Sequence, residues 1–306
     1  MSQTNSVFIV TLCIISVGYF LKRFKFLQDT DGRVISRFLM HTTFPALMLL
    51  STSRIHLEPS LLAIPFLCIA FGSLMTLIAW FAFAKYPNPM RGVLTMGAGG
   101  LNLGLFAFPL IEGIWGRDGL VYAIMFDLGN TAIVFGLVYP IGAYFAGKGQ
   151  GTVDRRAILK KIISLPPLQA SIIGLTLNAL SIHPPAIGVD ILEVLAKANK
   201  PLVLLLMGMY MSFELDRSQI VSAGKVLLIR YACGFAAILL LLGVVREASL
   251  FRNVILVCFV LPVGITLLPF SDEYQFDSKI AGALVNISLV ISFGLLWGLV
   301  VGLGLG

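Results

Sequence analysis

Hydrophobic and polar positions along this chain alternate in long blocks. Apolar runs able to cross roughly 30 Å of hydrocarbon follow one another with short polar connections. Ten such runs can be marked, at residues 6–21, 34–50, 61–84, 92–115, 119–146, 168–182, 187–213, 221–245, 254–270 and 280–305. The first is short, and the sixth is short and bounded by Pro166-Pro167 and Pro184-Pro185. No soluble domain fits between any two runs. The pattern predicts an all-α membrane protein of ten transmembrane helices.

Composition confirms the solvent. Of 306 residues, 58% are hydrophobic and 12% charged, whereas a soluble domain carries about a quarter charged residues. So few charges cannot cover a water-facing surface, so the lipid bilayer does the covering. A cytosolic enzyme, a secreted domain and a nucleic-acid binder are excluded. The N-terminal run has no basic leader and no small-residue cleavage site, and Lys22, Arg23 and Lys25 follow it. It reads as a retained span, not a signal peptide. Cys13, Cys68, Cys233 and Cys258 all lie inside apolar runs, without paired or metal-like spacing, and read as small hydrophobes.

The net charge of +7 is concentrated in short loops. Alternate loops on one side hold 15 Lys and Arg residues, among them Lys22, Arg33, Lys85, Lys148, Arg156, Arg217 and Lys279. The opposite loops hold four, Arg54, Arg117, Arg246 and Arg252. The basic side faces the cytoplasm. Both termini are therefore expected outside, in a plasma or inner membrane.

The two halves repeat each other at their unusual residues. Pro45 in the second span matches Pro201 in the seventh, and Pro109-Leu110 in the fourth matches Pro262-Val263 in the ninth. Asp118 and Asp127 share the spacing of Asp277 and Asn286. Five spans per half make the second copy inverted, as in many carriers. The expected organisation is a first five-helix repeat at 1–146, a cytoplasmic loop at 147–166 and a second, inverted repeat at 167–306.

Proline removes an N–H and frees a carbonyl one turn earlier. In hydrocarbon such backbone survives only beside protein or a wet cavity. The fourth span adds Gly97, Gly99, Gly100, Asn102 and Gly104, and the ninth adds Gly264 and Pro269. Two broken helices crossing at mid-membrane would aim half-helix N-termini at one spot suited to a carboxylate.

The stretch from Asn102 through Gly104 to Pro109-Leu110, followed by Gly116, Gly119, Asp127 and Asn130, resembles the auxin efflux carrier family of membrane transporters. Phe44-Pro45 and the Asn199-Lys200-Pro201 segment with Gly208 are similar too. That family includes bacterial malate and malonate permeases and plant auxin exporters. The resemblance implies two inverted five-helix repeats divided into a scaffold and a transport domain. It implies that helices 4 and 9 break at proline and cross, that a carboxylate binds there, and that movement is elevator-like. It also implies a homodimer through scaffold helices.

The expected substrate-binding residues are Asn102, Gly104, Pro109, Pro262, Val263 and Lys200. Intramembrane ionisable groups are functional by default. Asp127, Asn130, Asn286 and His41 are accordingly candidates for coupling. The coupling ion stays open between H+, Na+ and none, the last being a uniporter driven by membrane potential. Lys200 can attract a carboxylate or snorkel, and Arg230 reads as snorkelling or structurally paired. Asn178 reads as glue between helices, and Trp80, Trp115 and Trp297 as interfacial anchors. No cofactor, metal cluster or nucleotide loop is indicated. The reading is a secondary transporter of small organic anions, not an enzyme. The alternatives are a ten-span drug/metabolite exporter and a receptor or sensor without flux.

Overall fold

The computed structural model describes residues 3–55, 59–147, 155–211 and 216–305. His56, Lys148, residues 148–154 of the connecting loop and residues 212–213 at the end of the seventh expected span lie outside them. Among the described residues there are fourteen α-helices, two π-helical turns and one isolated β-bridge. Six helical stretches are long and apolar enough to cross a membrane: Thr4–Arg23, Thr30–Thr52, Leu61–Ala82, Leu103–Phe145, Arg217–Val244 and Ser278–Gly302.

Six is short of ten because the fourth and ninth spans are cut, the helix at Pro166–Ala179 is only 14 residues and that at Ala186–Tyr210 carries several charges. The first span is α1 (Gln3–Arg23). The second is divided into α2 (Asp29–His41) and α3 (Thr43–Thr52) at Thr42, with φ −130° and ψ −74°. Pro45 cannot bond the carbonyl of His41 four residues back, which weakens the helix just there. By contrast, α4 (Pro59–Ala82) runs unbroken through Pro65.

The fourth span comprises α5 (Asn88–Gly99), an extended gap, a π-turn at Leu103–Ala107 and the start of α6 (Phe108–Ile133). The chain then folds back at Gly116, whose φ of 66° and ψ of −160° suit glycine alone. The rest of α6, a second π-turn at Val134–Val138 and α7 (Tyr139–Phe145) make the fifth span.

The expected cytoplasmic loop is helical where described. Its Arg, Ala, Leu, Ile and Lys residues favour a helix, α8 (Arg155–Ile163), which ends just ahead of the Pro166-Pro167 pair. Then follow α9 (Pro166–Ala179), α10 (Ala186–Tyr210), which carries Pro201 inside it, and α11 (Arg217–Val244). The ninth span is α12 (Leu250–Cys258), an irregular stretch at 259–266 and α13 (Leu267–Glu273). The last is α14 (Ser278–Gly302).

Packing does not follow the chain halves. Helices α1, α2, α3, α9 and α10 pack mainly on one another, while α4–α7 pack with α11–α14. Contacts between the two groups are sparser and run chiefly through α1, α3 and α10 against α6 and its leading π-turn. Within the first group α1 and α10 touch backbone to backbone. A Cβ added to Gly18 would strike the Leu205 carbonyl, and one on Gly208 would strike the Ile15 carbonyl. Without a hydrophobic force between helices in lipid, such close contact at small residues supplies the attraction. Asn178 adds to this group by donating to the Ile55 carbonyl at 2.7 Å, and Thr43 donates to Asn199 Oδ1 at 2.8 Å.

Gly208→Leu should therefore separate α1 from α10. The expected loss is about 1–3 kcal/mol or more, read as a fall in thermal unfolding temperature in detergent. Gly224→Ala, where an added Cβ meets nothing within 4 Å, should leave that temperature unchanged.

Candidate functional site

The site begins with a failure of helix. Gly97, Gly99 and Gly100 each weaken α5 by their backbone freedom, and the chain becomes extended at Gly100 (φ −77°, ψ 147°) and at Asn102 (φ −96°, ψ 81°). The break thus lies at residues 100–102 and not at Pro109. Pro109 sits in the first turn of α6, where its missing N–H costs little. In the ninth span the irregular stretch does contain Pro262.

The two breaks meet. Leu101 and Val263 form an antiparallel bridge. Asn102 N–H donates to the Pro262 carbonyl at 3.0 Å, and Gly264 N–H donates to the Gly100 carbonyl at 3.2 Å. Buried extended backbone needs further partners, and side chains from α6, α14 and α11 provide them. The Asn130 amide accepts from Leu101 N–H at 3.0 Å and donates to the Leu101 carbonyl at 3.1 Å. Ser288 Oγ accepts from Val263 N–H at 2.9 Å.

Arg230 completes the set. Its Nη1 donates to the carbonyls of Gly97 (3.1 Å), Ala98 (2.8 Å) and Gly100 (3.0 Å). Its Nη2 donates to those of Leu261 (3.0 Å) and Pro262 (3.1 Å). Arg230 is 2% exposed, and among the described residues no other charged side chain is as buried. The cation is tolerable because α5 and α12 both end here, each presenting the negative end of its dipole. It neither snorkels nor pairs with a carboxylate.

Beside the crossing is a cavity of about 640 Å³. Its inner end is formed by Leu101, Asn102, Leu103, Gly104, Asp127, Asn130, Gly264 and Thr266. Its walls are apolar, with Phe44, Met48, Phe108, Ile124 and Phe135 among them. It extends to Arg33 of α2, Leu165 and Pro167 at the start of α9, Tyr210 at the end of α10 and Asp272 of α13. That is the lysine- and arginine-rich end of the bundle. The wall contributions from α2, α3, α9 and α10 on one side and from α6 and α13 on the other place the cavity between the two packing groups.

The structure gathers some of the expected residues and disperses others. Asn102, Gly104, Asp127 and Asn130 line the cavity, and Asn130 Nδ2 donates to Asp127 Oδ1 at 3.1 Å. Pro262 and Val263 build the crossing behind it. Pro109 is buried at the start of α6. Lys200 lies beside Gly113 and in electrostatic contact with Glu112, away from the cavity wall. Asn286 donates to the Gly282 carbonyl at 2.8 Å, and exposed His41 bonds the Arg37 carbonyl at 2.8 Å through Nδ1. Trp115 Nε1 donates to the Leu305 carbonyl and Trp297 Nε1 to Asn5 Oδ1, each at 2.9 Å.

A model of a family described as "membrane transport protein" matches residues 5–296. The chain belongs to the auxin efflux carrier family of membrane transport proteins. It is 29% identical over 227 residues to an uncharacterized transporter of Methanothermobacter thermautotrophicus, covering 73% of this chain and 72% of that one. It is 25% identical over 304 residues to an uncharacterized transporter of Methanocaldococcus jannaschii, covering 95% and 97%. Membership of this carrier family and six apolar helices make the chain an integral membrane protein.

The sequence singled out Arg230 but not its role in clamping the crossing, and gave no sign of the roles of Ser288, Thr266, Arg33 and Asp272. Ser288 follows Val263 by 25 residues where Asn130 follows Leu101 by 29, a difference of about one helical turn, so each polar residue falls on the face of its helix that meets its own break.

Asn130→Leu should leave both polar groups of Leu101 buried and unpaired. The expected destabilisation is about 2–4 kcal/mol, measured by thermal unfolding. Arg230→Met, which removes a donor from five carbonyls and leaves Gly100 and Pro262 only their backbone partners, should lower the unfolding temperature further than Asn130→Leu.

Proposed function

We propose that this carrier moves small organic anions across the membrane as a secondary transporter, holding a carboxylate at the crossing. The observation that carries the reading is the cavity at the meeting of the two breaks, lined at its inner end by Asn102, Gly104, Asp127 and Thr266. The π-turn at Leu103–Ala107 starts there, and the first N–H groups of a helix have no partner within it. Those groups and the Asn102 amide supply donors for a carboxylate. Because Arg230 occupies the carbonyl end of α5 and sits beside the end of α12 on the Leu261 and Pro262 carbonyls, the opposing dipole ends do not repel an anion.

The cavity is large and mostly apolar, which favours a carboxylate with an apolar body over a small dicarboxylate such as malate or malonate. Its position between two packing groups supports an elevator-like movement. In that movement α4–α7 and α11–α14, the transport domain, slide against a scaffold of α1–α3, α9 and α10. The ten spans are then two inverted repeats, with Asn130 and Ser288 in corresponding roles, and both termini lie outside. At the end of the bundle opposite the cavity mouth, Arg117 pairs with Glu193 of α10 at 3.6 Å and Trp297 bonds Asn5. These contacts hold that end closed. A proton on Asp127 is the proposed coupling ion.

The test is counterflow of labelled benzoate, malate and malonate in proteoliposomes at a series of fixed pH values, with protein-free vesicles subtracted. Benzoate should exchange fastest. Asn102→Ala should lower its exchange at least tenfold while unfolding within a few degrees of the parent, and Asp127→Asn, which mimics the protonated carboxyl, should make exchange independent of pH. Unchanged exchange in Asn102→Ala together with unchanged pH dependence in Asp127→Asn would remove the site assignment.

A further inference from the structure

Two opposite charges sit on either side of the same peptide unit at the crossing. Arg230 Nη1 bonds the Gly100 carbonyl, and Asn130, which bonds both polar groups of the adjoining Leu101, also donates to Asp127 Oδ1. One chain of hydrogen bonds therefore links Asp127, Asn130, the 100–101 backbone and Arg230. Both charges belong to the helices of one packing group, so any movement of that group carries them together. Arg230 is sealed from solvent and keeps its proton. Asp127 faces the cavity and can exchange one. The groups facing Asp127 are Asn130 on its own helix, Cys68 from α4 and Cys258 from α12, with Arg33 and Asp272 further along the cavity wall.

We infer that Arg230 and Asp127 form a fixed charge balance that makes transport of a monocarboxylate electroneutral, with one proton carried per carboxylate. The inference rests on the carboxylate reading above and adds its stoichiometry. When the site is empty, the guanidinium and the ionised Asp127 cancel. When a monocarboxylate binds, cancellation requires that Asp127 take up one proton from the same side. That proton is released from Asp127 Oδ when the anion leaves on the other side, and the empty neutral form returns. Buried net charge is strongly disfavoured in hydrocarbon, so the two neutral forms are the ones that move. The singly charged forms, anion without proton or proton without anion, stay where they are. A dianion leaves one uncompensated negative charge even with Asp127 protonated.

Initial uptake of labelled benzoate and malonate into proteoliposomes at pH 7.5 tests this, with valinomycin and potassium setting the potential between 0 and −100 mV inside. Benzoate uptake should change less than twofold with potential and should rise when the outside is acidified. Malonate, moving one net negative charge, should fall severalfold towards a limit of about 50-fold per 100 mV. Asp127→Asn removes the proton but leaves Arg230 charged. Its remaining benzoate uptake should lose the response to acidification and become inhibited by inside-negative potential. Benzoate uptake by the parent that falls severalfold with potential would overturn the inference, as would potential-independent uptake by Asp127→Asn. Counterflow at zero potential separates the two readings. If benzoate exchanges there but its net uptake is voltage-driven, only the charge balance fails. If no tested acid exchanges, the carboxylate reading fails and the balance falls with it.

Discussion

Five backbone carbonyls converge on one guanidinium, and the interior of the molecule is arranged around that fact. Two helices that stop in mid-membrane would each leave carbonyls without partners, at several kcal/mol apiece in a medium free of water. Arg230 satisfies the last carbonyls of α5 and those of Leu261 and Pro262 just beyond α12 at once. A planar fork with donors on two nitrogens can reach across two chain ends; a lysine ammonium, a single point, is poorly shaped for it. The arrangement also explains how an unpaired cation can be buried. The negative dipole ends of two helices do the work that a carboxylate does elsewhere.

The remaining backbone at the crossing is satisfied by an economical set. A two-bond antiparallel contact joins the breaks, and Asn130 and Ser288 complete one segment each. The result is rigid irregular backbone bordering a cavity, the one setting in which such backbone is stable at this depth. Helix starts, not helix ends, are left to face that cavity, because the ends are already occupied. A polar inner end and apolar walls follow from that assignment of partners.

The same architecture divides the helices into two groups that pack more closely within themselves than against each other. Close backbone contact through Gly18 and Gly208 locks α1 to α10. Contacts across the cavity are fewer, and several are single polar links at one end of the bundle, such as Arg117 with Glu193. The boundary between the two well-packed groups is thus more sparsely held than the interior of either.

The sequence by itself determined the solvent, the approximate spans, the asymmetry of basic residues and the presence of two weak points along the chain. Each follows from local chemistry: apolar run length, loop charge, and glycine or proline in a helix. It also marked Asn102, Asp127 and Asn130, because polar groups in apolar runs are conspicuous. It misplaced the first break at Pro109, since a proline in the first turn of a helix and one that interrupts it look alike without the carbonyls behind them. Pro65 and Pro201, inside unbroken helices, make the same point. It read the 147–166 connection as loop, though its described part holds a helix. Only the tertiary structure decided that Arg230 serves backbone and not a carboxylate, that Lys200 faces Glu112, and that Asn130 and Ser288 finish the crossing. Those roles depend on which chain segments meet, through contacts between residues 25 to 133 positions apart, which no local pattern encodes.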